Sequence, residues 1–195
     1  MASFILASQS PRRKSLLEWA EIPFEIIVSD SDESYPASMS INEVPAFIAK
    51  HKALAVEEKV HQEKPALKGA CIIAADTVVV LDNTIMGKPL DRADAIDSLT
   101  KLSGKTHQVI TGVCLLHNGN IESFSETTEV SFHELSTSQI EYYVDHYKPY
   151  DKAGGYAIQE WIGVVGIRSI QGDFYNVMGL PVSRLVQKIK QLNLL

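Results

Sequence analysis

The sequence predicts an α/β protein whose sheet contains both parallel and antiparallel strands. Apolar runs typical of strands and amphipathic patterns typical of helices both recur along the 195 residues. They do not follow the strict strand-helix alternation of a Rossmann fold. Two long strand-like runs, residues 107–116 and 121–132, are joined by Asn118-Gly119, which is a strong signal for an antiparallel hairpin.

The chain is expected to begin with a short strand and a helix. Residues 3–7 form an apolar run that predicts the strand. Ser10 is placed to cap the helix and Pro11 to occupy its first position, where proline is tolerated. Leu16 and Leu17 give this helix a buried face.

A second strand and a long helix are expected next. The apolar run 24–29 predicts the strand, and a polar loop rich in acidic residues follows it. Ser40 and Glu43 have the spacing of a capping box, which predicts a helix from there to about residue 60. The expected buried face of this helix consists of Phe47, Ile48, Leu54 and Ala55.

The second half of the chain predicts further helices and strands. Ser136 and Gln139 form another capping box. The expected elements are, in order, a strand at 71–81 with a turn at Asp82-Asn83, a helix at 91–104, the hairpin already named, a helix at 136–147, a strand at 161–170 and a helix that Pro181 opens.

Composition and charge limit the class of protein. With 45% hydrophobic and 22% charged residues the chain has ordinary globular values, and its length predicts one domain over residues 1–195. It has no run of about 18 apolar residues, and the N-terminus lacks the features of a signal peptide, so we expect neither a membrane span nor secretion. A net charge of −6 argues against binding of a nucleic-acid polymer. Cys71 and Cys114 give neither a disulfide framework nor zinc spacing, so we expect a cytoplasmic protein.

Basic residues stand where the first helix begins. Arg12, Arg13 and Lys14 occupy the positive end of the helix dipole, which favours acidic groups by roughly 0.3–1 kcal/mol each. A bound anion would relieve the repulsion, because free N–H groups and guanidinium groups would converge on phosphate oxygens. A solvated basic surface, with arginine stems lying on apolar neighbours, explains the cluster alone equally well. The position directly after an apolar strand favours the phosphate site.

Acidic residues supply a candidate base and a candidate metal site. Asp76 interrupts a long apolar run, where a carboxylate is costly unless it is paired or bound to a metal. We therefore expect it to be a general base or a metal ligand; the alternative is that the strand ends at Ala75 and Asp76 lies in a turn. Asp30, Asp32 and Glu33 form a second acidic group, which beside a phosphate site would hold Mg²⁺, and Glu33 is favoured.

Two lysines and a glycine-containing loop complete the candidates. Lys52 flanks the apolar face of the second helix, and Lys88 lies in a rigid Gly-Lys-Pro turn. Each is placed either to contact a phosphate or to be an ordinary surface lysine. In the loop 151–159, Gln159 offers a donor and an acceptor together, which suits the edge of a uracil or thymine ring. Tyr156 is placed either to stack or to pack.

Several common motifs are absent from the sequence. Gly87-Lys88 is followed by proline, so there is no Walker P-loop, and no G-x-G-x-x-G follows a strand. Neither H-E-x-x-H nor G-x-S-x-G occurs. The remaining candidates are basic side chains suited to binding phosphates, together with acidic side chains suited to binding Mg²⁺ and activating water.

These residues together resemble the Maf family of nucleoside triphosphate pyrophosphatases. The segments occur in the family order, span nearly the whole chain and are highly specific as a set. They are residues 6–13, 52–53, 75–79, 87–89, 102–107, 151–159 and 177–181.

The resemblance implies a fold and an activity. The fold is a mixed, twisted sheet flanked by helices, with two lobes around a deep cleft, related to the inosine triphosphate pyrophosphatases. The activity is hydrolysis of dTTP, UTP or modified pyrimidine nucleotides to the monophosphate and pyrophosphate, because the loop 151–159 is similar to that of the dTTP/UTP branch. The resemblance also implies a divalent cation, Mg²⁺ or Mn²⁺, and often a homodimer.

Residue roles follow from the resemblance by position. Asp76 looks like the family's proton acceptor, and with Glu33 it matches the metal site. The positions that look like specificity determinants are Arg12, Thr77 and Gln159. The positions that match the phosphate site are Ser8, Arg13, Lys52 and Lys88. The loop departs from the family pattern at Gly155, Ala157 and Glu160, and Glu160 adds bulk and charge beside Gln159.

Two other functions stay open on the sequence alone. The site would also suit a nucleotide-binding regulatory protein with little turnover, since family members have been linked to cell division. A pure binder, however, needs no carboxylate at Asp76 beside an anionic ligand. A purine enzyme of the inosine triphosphate type is the other alternative.

Overall fold

The structure, a computed structural model, describes residues 3–195 and has the expected mixture of strands and helices. The strands are β1 (Phe4–Leu6), β2 (Phe24–Ile26), β3 (Cys71–Leu81), β4 (Thr84–Met86), β5 (Thr106–His117), β6 (Asn120–Phe132) and β7 (Ile167–Gln171). The α-helices are α1 (Pro11–Trp19), α2 (Val44–Glu63), α3 (Arg92–Leu102), α4 (Thr137–Tyr147), α5 (Trp161–Gly166), α6 (Phe174–Met178) and α7 (Val182–Gln191). Short 3₁₀ turns lie at Pro65–Leu67 and Ala153–Gly155.

The strands form one mixed sheet flanked by helices, which confirms the fold class. The strand order is β2-β1-β3-β5-β6-β7, and β4 pairs with β3 outside this path. Strand β1 is parallel to both of its neighbours, so that Phe4 lies opposite Phe24 on one side and Cys71 on the other. Strand β4 is antiparallel to β3, and β7 is antiparallel to β6.

The chain divides into two compact units. The first unit contains the described residues up to Asp76 together with Thr111–Glu126 and Gly179–Leu195, and the second contains Thr77–Ile110 and Thr127–Met178. Among the candidate residues, those in the first unit are Ser8, Arg12, Arg13, Glu33, Lys52 and Asp76, and those in the second are Thr77, Lys88 and Gln159.

The core of the first unit forms where one face of α2 packs against strands β1, β3 and β5. Its members include Ile5, Ala49, Ala53, Val56, Val60, Ile72 and Ala74. The α2 members recur every three or four positions, which places them on one helical face. Gly112 in β5 permits the close approach of α2, because a Cβ atom there would lie 2.0 Å from the backbone nitrogen of Ala46.

The predicted start of α2 is wrong, and of its predicted buried face Ile48 is buried, Phe47 and Ala55 are half-buried and Leu54 is exposed. The capping box at Ser40 and Glu43 does not form: the helix begins at Val44, and within the described chain Glu43 makes no side-chain capping hydrogen bond. Pro45 explains this start, because proline fits only in the first turn of a helix. Leu54, expected in the core, is exposed. The face of α2 that packs against the sheet is instead the one that carries the small residue Ala53.

The predicted strand at 161–170 is wrong in its first half. Residues Trp161–Gly166 form α5, and only Ile167–Gln171 form a strand. A short apolar run has no periodicity by which helix and strand can be told apart. Gly163 permits the close contact of α5 with the preceding turn, because a Cβ atom at this position would lie 1.8 Å from the carbonyl oxygen of Ile158.

The tight turns and the cap of α4 agree with the sequence, whereas the predicted side-chain cap of α1 by Ser10 does not form within the described residues. Ser136 and Gln139 form the predicted capping box at the start of α4. Asn118 and Gly119 both have positive φ, as a tight hairpin turn requires, and so does the pair Asp82-Asn83. Among the described residues, no helix has the length and apolarity needed to cross a membrane.

Candidate functional site

A lysine ammonium lies between two carboxylates in the first unit. Nζ of Lys52, on α2, lies 2.7 Å from Oδ1 of Asp76, in β3, and 2.7 Å from Oε1 of Glu33, in the loop before α2. The side chains of Lys52 and Asp76 are 18% and 15% exposed, whereas that of Glu33 is 56% exposed. Three of the predicted site residues are therefore in direct contact.

Asp76 lies within a strand and not in a turn, as predicted. Apart from the half-buried Thr77, the other residues of β3 are apolar and buried. The charge of a half-buried carboxylate at this place is balanced by Lys52. The sequence indicated that Asp76 needed a partner, but it did not identify the partner.

Arg13 is held in place by two hydrogen bonds at the start of α1. Its Nε donates to the carbonyl oxygen of Gly179 at 2.8 Å, and its Nη1 donates to Oγ of Ser8 at 3.2 Å. Oγ of Ser8 also accepts from the backbone N–H of Ser10 at 3.2 Å. Ser8 thus joins the loop before α1 to the guanidinium group.

The Arg13 guanidinium lies within electrostatic reach of the carboxylates. Burial lowers the pKa of Arg13, the charge of Asp76 opposes this effect, and Arg12 lowers the pKa while Glu33 raises it. Arg13, Asp76 and Glu33 therefore belong to one group of interacting charges in the first unit. An arginine remains protonated at neutral pH even when burial lowers its pKa.

Of the three basic residues in the first turn of α1, two lie near the charges of Asp76 and Glu33. Lys14 is exposed and lies 3.7 Å from Glu18, its partner four residues along the helix. Arg12 and Arg13 are half-buried. Within the described residues, the first turn contains no acidic side chain, and Ser10 provides no side-chain cap. The unusual charge distribution seen in the sequence is thus present in the structure.

Two acidic side chains of the loop before α2 make contacts of different range: Asp32 bonds to a neighbour in the loop, and Glu33 reaches a residue on α2. The carboxylate of Asp32 accepts from the hydroxyl group of Ser34 at 2.6 Å and from its backbone N–H at 2.8 Å, and these bonds lower the pKa of Asp32. Glu33 instead reaches Lys52. The structure therefore brings Glu33, the acid that the sequence favoured, to Asp76 through a shared lysine.

The two carboxylates offer oxygen ligands to a cation. Each has an oxygen 2.7 Å from the same ammonium nitrogen, so these oxygens lie within twice that distance of each other. Across residues 3–195, no group of three or more histidine, cysteine, aspartate or glutamate side chains is arranged to hold a metal ion. Protein oxygens in small number, completed by phosphate oxygens and water, are typical of Mg²⁺ sites.

Two loops that carry candidate residues contact each other in the second unit. The backbone N–H of Gly154 donates to the carbonyl oxygen of Gly87 at 3.0 Å, which joins the loop of Gln159 to the turn that contains Lys88. The side chains of Lys88 and Gln159 are exposed. Thr77 follows Asp76 in β3 and is half-buried, with its side chain on the opposite face of the strand.

Tyr156 packs inside the second unit. Its hydroxyl group lies 2.7 Å from Nε2 of His107, and the rings of both residues contact Phe132. Burial lowers the pKa of His107 to about 4 and raises that of Tyr156. Tyr156 is therefore a buried anchor of its loop and does not offer its ring to a ligand.

Sequence reasoning missed Tyr143, which is fully buried in α4. Its hydroxyl group donates to Oε2 of Glu160 and accepts from the backbone N–H of Ala157 at 3.1 Å. Buried tyrosines usually have a hydrogen-bond partner, but the pattern of α4 alone does not identify a partner so far along the chain.

Comparison with known proteins gives concordant matches over most of the chain. Residues 3–192 match the family described as Maf-like protein. The dTTP/UTP pyrophosphatase of Phocaeicola vulgatus is 51% identical over 189 residues, which are 96% of this chain and 95% of that one. The dTTP/UTP pyrophosphatase of Porphyromonas gingivalis is 48% identical over 187 residues, 95% of this chain and 92% of that one. The solved structure of the Staphylococcus aureus Ham1 protein matches with a TM-score of 0.45 and 13% identity, over 67% of this chain and 71% of that one.

Proposed function

Because the chain belongs to the Maf-like protein family, we propose that it hydrolyses dTTP and UTP to the corresponding monophosphates and pyrophosphate. The names of the relatives from Phocaeicola vulgatus and Porphyromonas gingivalis support this choice of substrate. The arrangement of charges in the first unit supports the type of reaction.

The observation that carries the proposal is the contact of Lys52 with both Asp76 and Glu33. A pyrophosphatase acting on a triphosphate needs cations for the phosphate oxygens and a carboxylate that can accept a proton from water. Lys52 and Arg13 supply the cations in the first unit, and Asp76 supplies the carboxylate.

In the proposed reaction, a water molecule attacks the α-phosphorus of the nucleotide while Asp76 accepts a proton from that water. A new phosphorus–oxygen bond forms, and the bond from the α-phosphorus to the oxygen bridging to the β-phosphorus breaks. Pyrophosphate leaves with that electron pair. The side chains proposed to bind the phosphate oxygens are Ser8, Arg13, Lys52 and Lys88.

Glu33 and Asp76 are the residues that would hold a divalent cation, Mg²⁺ or Mn²⁺. When bound, such an ion supplies positive charge to the phosphate oxygens and to the attacking water. The carboxylates fit the ion because they offer the oxygen ligands that it prefers and already surround a cationic group, the ammonium of Lys52.

The preference for thymine and uracil is assigned to Arg12, Thr77 and Gln159. The amide of Gln159 can donate and accept at once, as can the edge of a uracil or thymine ring. Its exposed position leaves the amide accessible to a ligand. A cytosine ring presents an amino group where uracil presents a carbonyl oxygen, so the same amide geometry would not suit both.

Three further properties belong to the same proposal. We propose that residues 1–195 act as one functional domain, that the enzyme works in the cytoplasm, and that it forms a homodimer. The length and composition of the chain support the first two, and the family resemblance supports the third.

A nucleotide panel tests the proposed function. The protein is incubated with Mg²⁺ and dTTP, UTP, CTP, GTP or ITP, and phosphate release is measured with and without added inorganic pyrophosphatase. We expect release from dTTP and UTP only when the added enzyme is present, because the product is pyrophosphate. Mn²⁺ in place of Mg²⁺ tests the choice of cation.

Other outcomes would contradict the proposal in distinct ways. Release without the added enzyme would indicate a phosphatase. A preference for ITP would indicate a purine enzyme. Tight binding of dTTP without release under either condition would indicate a nucleotide-binding regulatory protein.

A further inference from the structure

Gln159 lies in a tight turn that buried contacts hold in place. The backbone N–H of Glu160 donates to the carbonyl oxygen of Ala157 at 3.1 Å, which closes a turn with Ile158 and Gln159 at its centre. Ile158 is buried and Gln159 is exposed. The turn therefore presents the Gln159 side chain to solvent from a backbone anchored at its neighbour.

Both ends of this turn are bound to the hydroxyl group of Tyr143. The hydroxyl group accepts from the N–H of Ala157 at 3.1 Å and donates to the carboxylate of Glu160. Tyr143 is fully buried in α4, and its ring is stacked on Tyr147 with centroids 5.0 Å apart. A single rigid group thus fixes the residues on either side of Ile158 and Gln159.

Lys152 balances the charge of this arrangement. Its side chain is 10% exposed, and its Nζ lies 2.8 Å from Oδ1 of Asp151 and 3.5 Å from Oε1 of Glu160. One oxygen of Glu160 therefore faces Tyr143 and the other faces Lys152. The carboxylate of Glu160, which follows Gln159 in the sequence, is therefore held by Tyr143 and Lys152.

Helix α5 encloses the turn from the other side. The backbone N–H of Gly163 donates to the carbonyl oxygen of Glu160 at 2.9 Å. Gly163 allows α5 to lie directly against the turn, because a Cβ atom at this position would lie 1.8 Å from the carbonyl oxygen of Ile158.

We propose that Tyr143 and Glu160 are positioning residues that hold the Gln159 turn in place and thereby set the preference of the enzyme for uracil over cytosine. This inference rests on the proposed function, in which Gln159 contacts the base. Discrimination by a donor–acceptor pair requires a fixed backbone, since displacement of a contacting group by about 1 Å can cost as much as a factor of 10².

The first variant is Tyr143→Phe, which keeps the ring and removes the hydroxyl group. The matched control is Tyr147→Phe, which removes the hydroxyl group of the stacked neighbour on the same helix. For each protein, hydrogen exchange of the amides in residues 157–160 is measured, together with kcat/KM for UTP and for CTP. We expect Tyr143→Phe to accelerate exchange at Ala157 and to lower the UTP/CTP ratio roughly tenfold, with Tyr147→Phe close to wild type.

A second set of variants separates positioning from general loss of structure. Glu160→Gln keeps an acceptor for the hydroxyl group of Tyr143, so it should retain most of the UTP/CTP preference, whereas Glu160→Ala should lose it. In the Gln159→Ala background, Tyr143→Phe should have no further effect on the ratio, because it acts through Gln159.

The outcomes distinguish this inference from the proposed function. If the wild-type protein hydrolyses neither UTP nor dTTP, the proposed function is wrong, and the role of the pair in setting base preference is wrong with it. If the wild type prefers UTP but Tyr143→Phe leaves the ratio or the exchange of residues 157–160 unchanged, only the positioning role is overturned. Additive effects of Tyr143→Phe and Gln159→Ala would overturn it as well.

Discussion

Nζ of Lys52 and Oδ1 of Asp76 lie 2.7 Å apart, although 24 positions separate the two residues in the chain. The contact joins the middle of a helix to the middle of a strand in the first unit. It explains how a carboxylate can lie in a strand whose other residues, apart from Thr77, are apolar, and it places a cation beside the proposed general base.

We expect Asp76→Asn to lower turnover of dTTP by a factor of roughly 10²–10⁴ with little change in fold, because the amide cannot accept a proton from water. Turnover is measured with pyrophosphatase-coupled phosphate release, and the fold is checked by circular dichroism. The matched control is Asp97→Asn, which alters an exposed carboxylate paired with Lys101. Near-normal turnover in Asp76→Asn would remove Asp76 from the role of base.

Lys52→Met should destabilise the protein by about 1–2 kcal/mol, because it removes the cation between two carboxylates, one of which is half-buried. Millimolar Mg²⁺ should restore more stability to this variant than it adds to the wild type, since the ion would replace the lost charge. Thermal unfolding with and without Mg²⁺ measures both effects. Lys101→Met, at an exposed ion pair, serves as the control, and equal Mg²⁺ effects in all three proteins would argue against a cation site here.

Gln159→Ala should lower the ratio of kcat/KM for UTP to that for CTP, by roughly 10-fold or more, because the hydrogen bonds that distinguish the two base edges are lost. Turnover of dTTP itself should fall less than in Asp76→Asn, since no group that reacts is removed. The measurement is a pair of steady-state titrations. An unchanged ratio would show that Gln159 does not read the base.

His107 should make the stability of the protein depend on pH below neutrality. Burial lowers its pKa from 6.5 to about 4, so as pH falls through this range the unfolded chain binds a proton that the folded protein does not. The free energy of unfolding should therefore decrease by up to about 1.4 kcal/mol per pH unit from this group. Urea unfolding at several pH values measures it. The decrease should be smaller in His107→Gln and unchanged in His61→Gln, which alters an exposed histidine.

Gly112→Ala should destabilise the first unit by roughly 2 kcal/mol or more, because the added Cβ would overlap the backbone of α2 at Ala46. Gly87→Ala is the control, since a Cβ atom at that position meets no other atom within 4 Å. Chemical denaturation compares the two variants. Equal stability would show that α2 can move away from β5 at little cost.

The parts of the fold that follow from the sequence are those governed by local chemistry. The Asn118-Gly119 hairpin, the Ser136 cap and the strand around Asp76 each depend on residues near one another in the chain. Asp76 was also identified as needing a partner, because the cost of burying a charge does not depend on knowing where the partner lies.

The parts that did not follow depend on contacts between distant residues. Gly112 lets α2 lie close to β5, and a glycine so far along the chain leaves no signal within the sequence of the helix itself. Pro45 is a local signal for the observed start of α2, and it competes in the sequence with the capping-box spacing at Ser40, which predicts an earlier start. Glu160 contacts Tyr143 in α4 and Lys152, and neither residue is adjacent to it in the chain. The sequence around Glu160 therefore does not identify the groups that bind its carboxylate.

The bond from Arg13 to Gly179 spans 166 positions of the chain. During synthesis Arg13 emerges before Gly179, so its side chain has no access to that carbonyl group until Gly179 has also left the ribosome. The nascent chain therefore cannot assemble this anchor early. A truncated product that ends before Gly179 would lack it altogether.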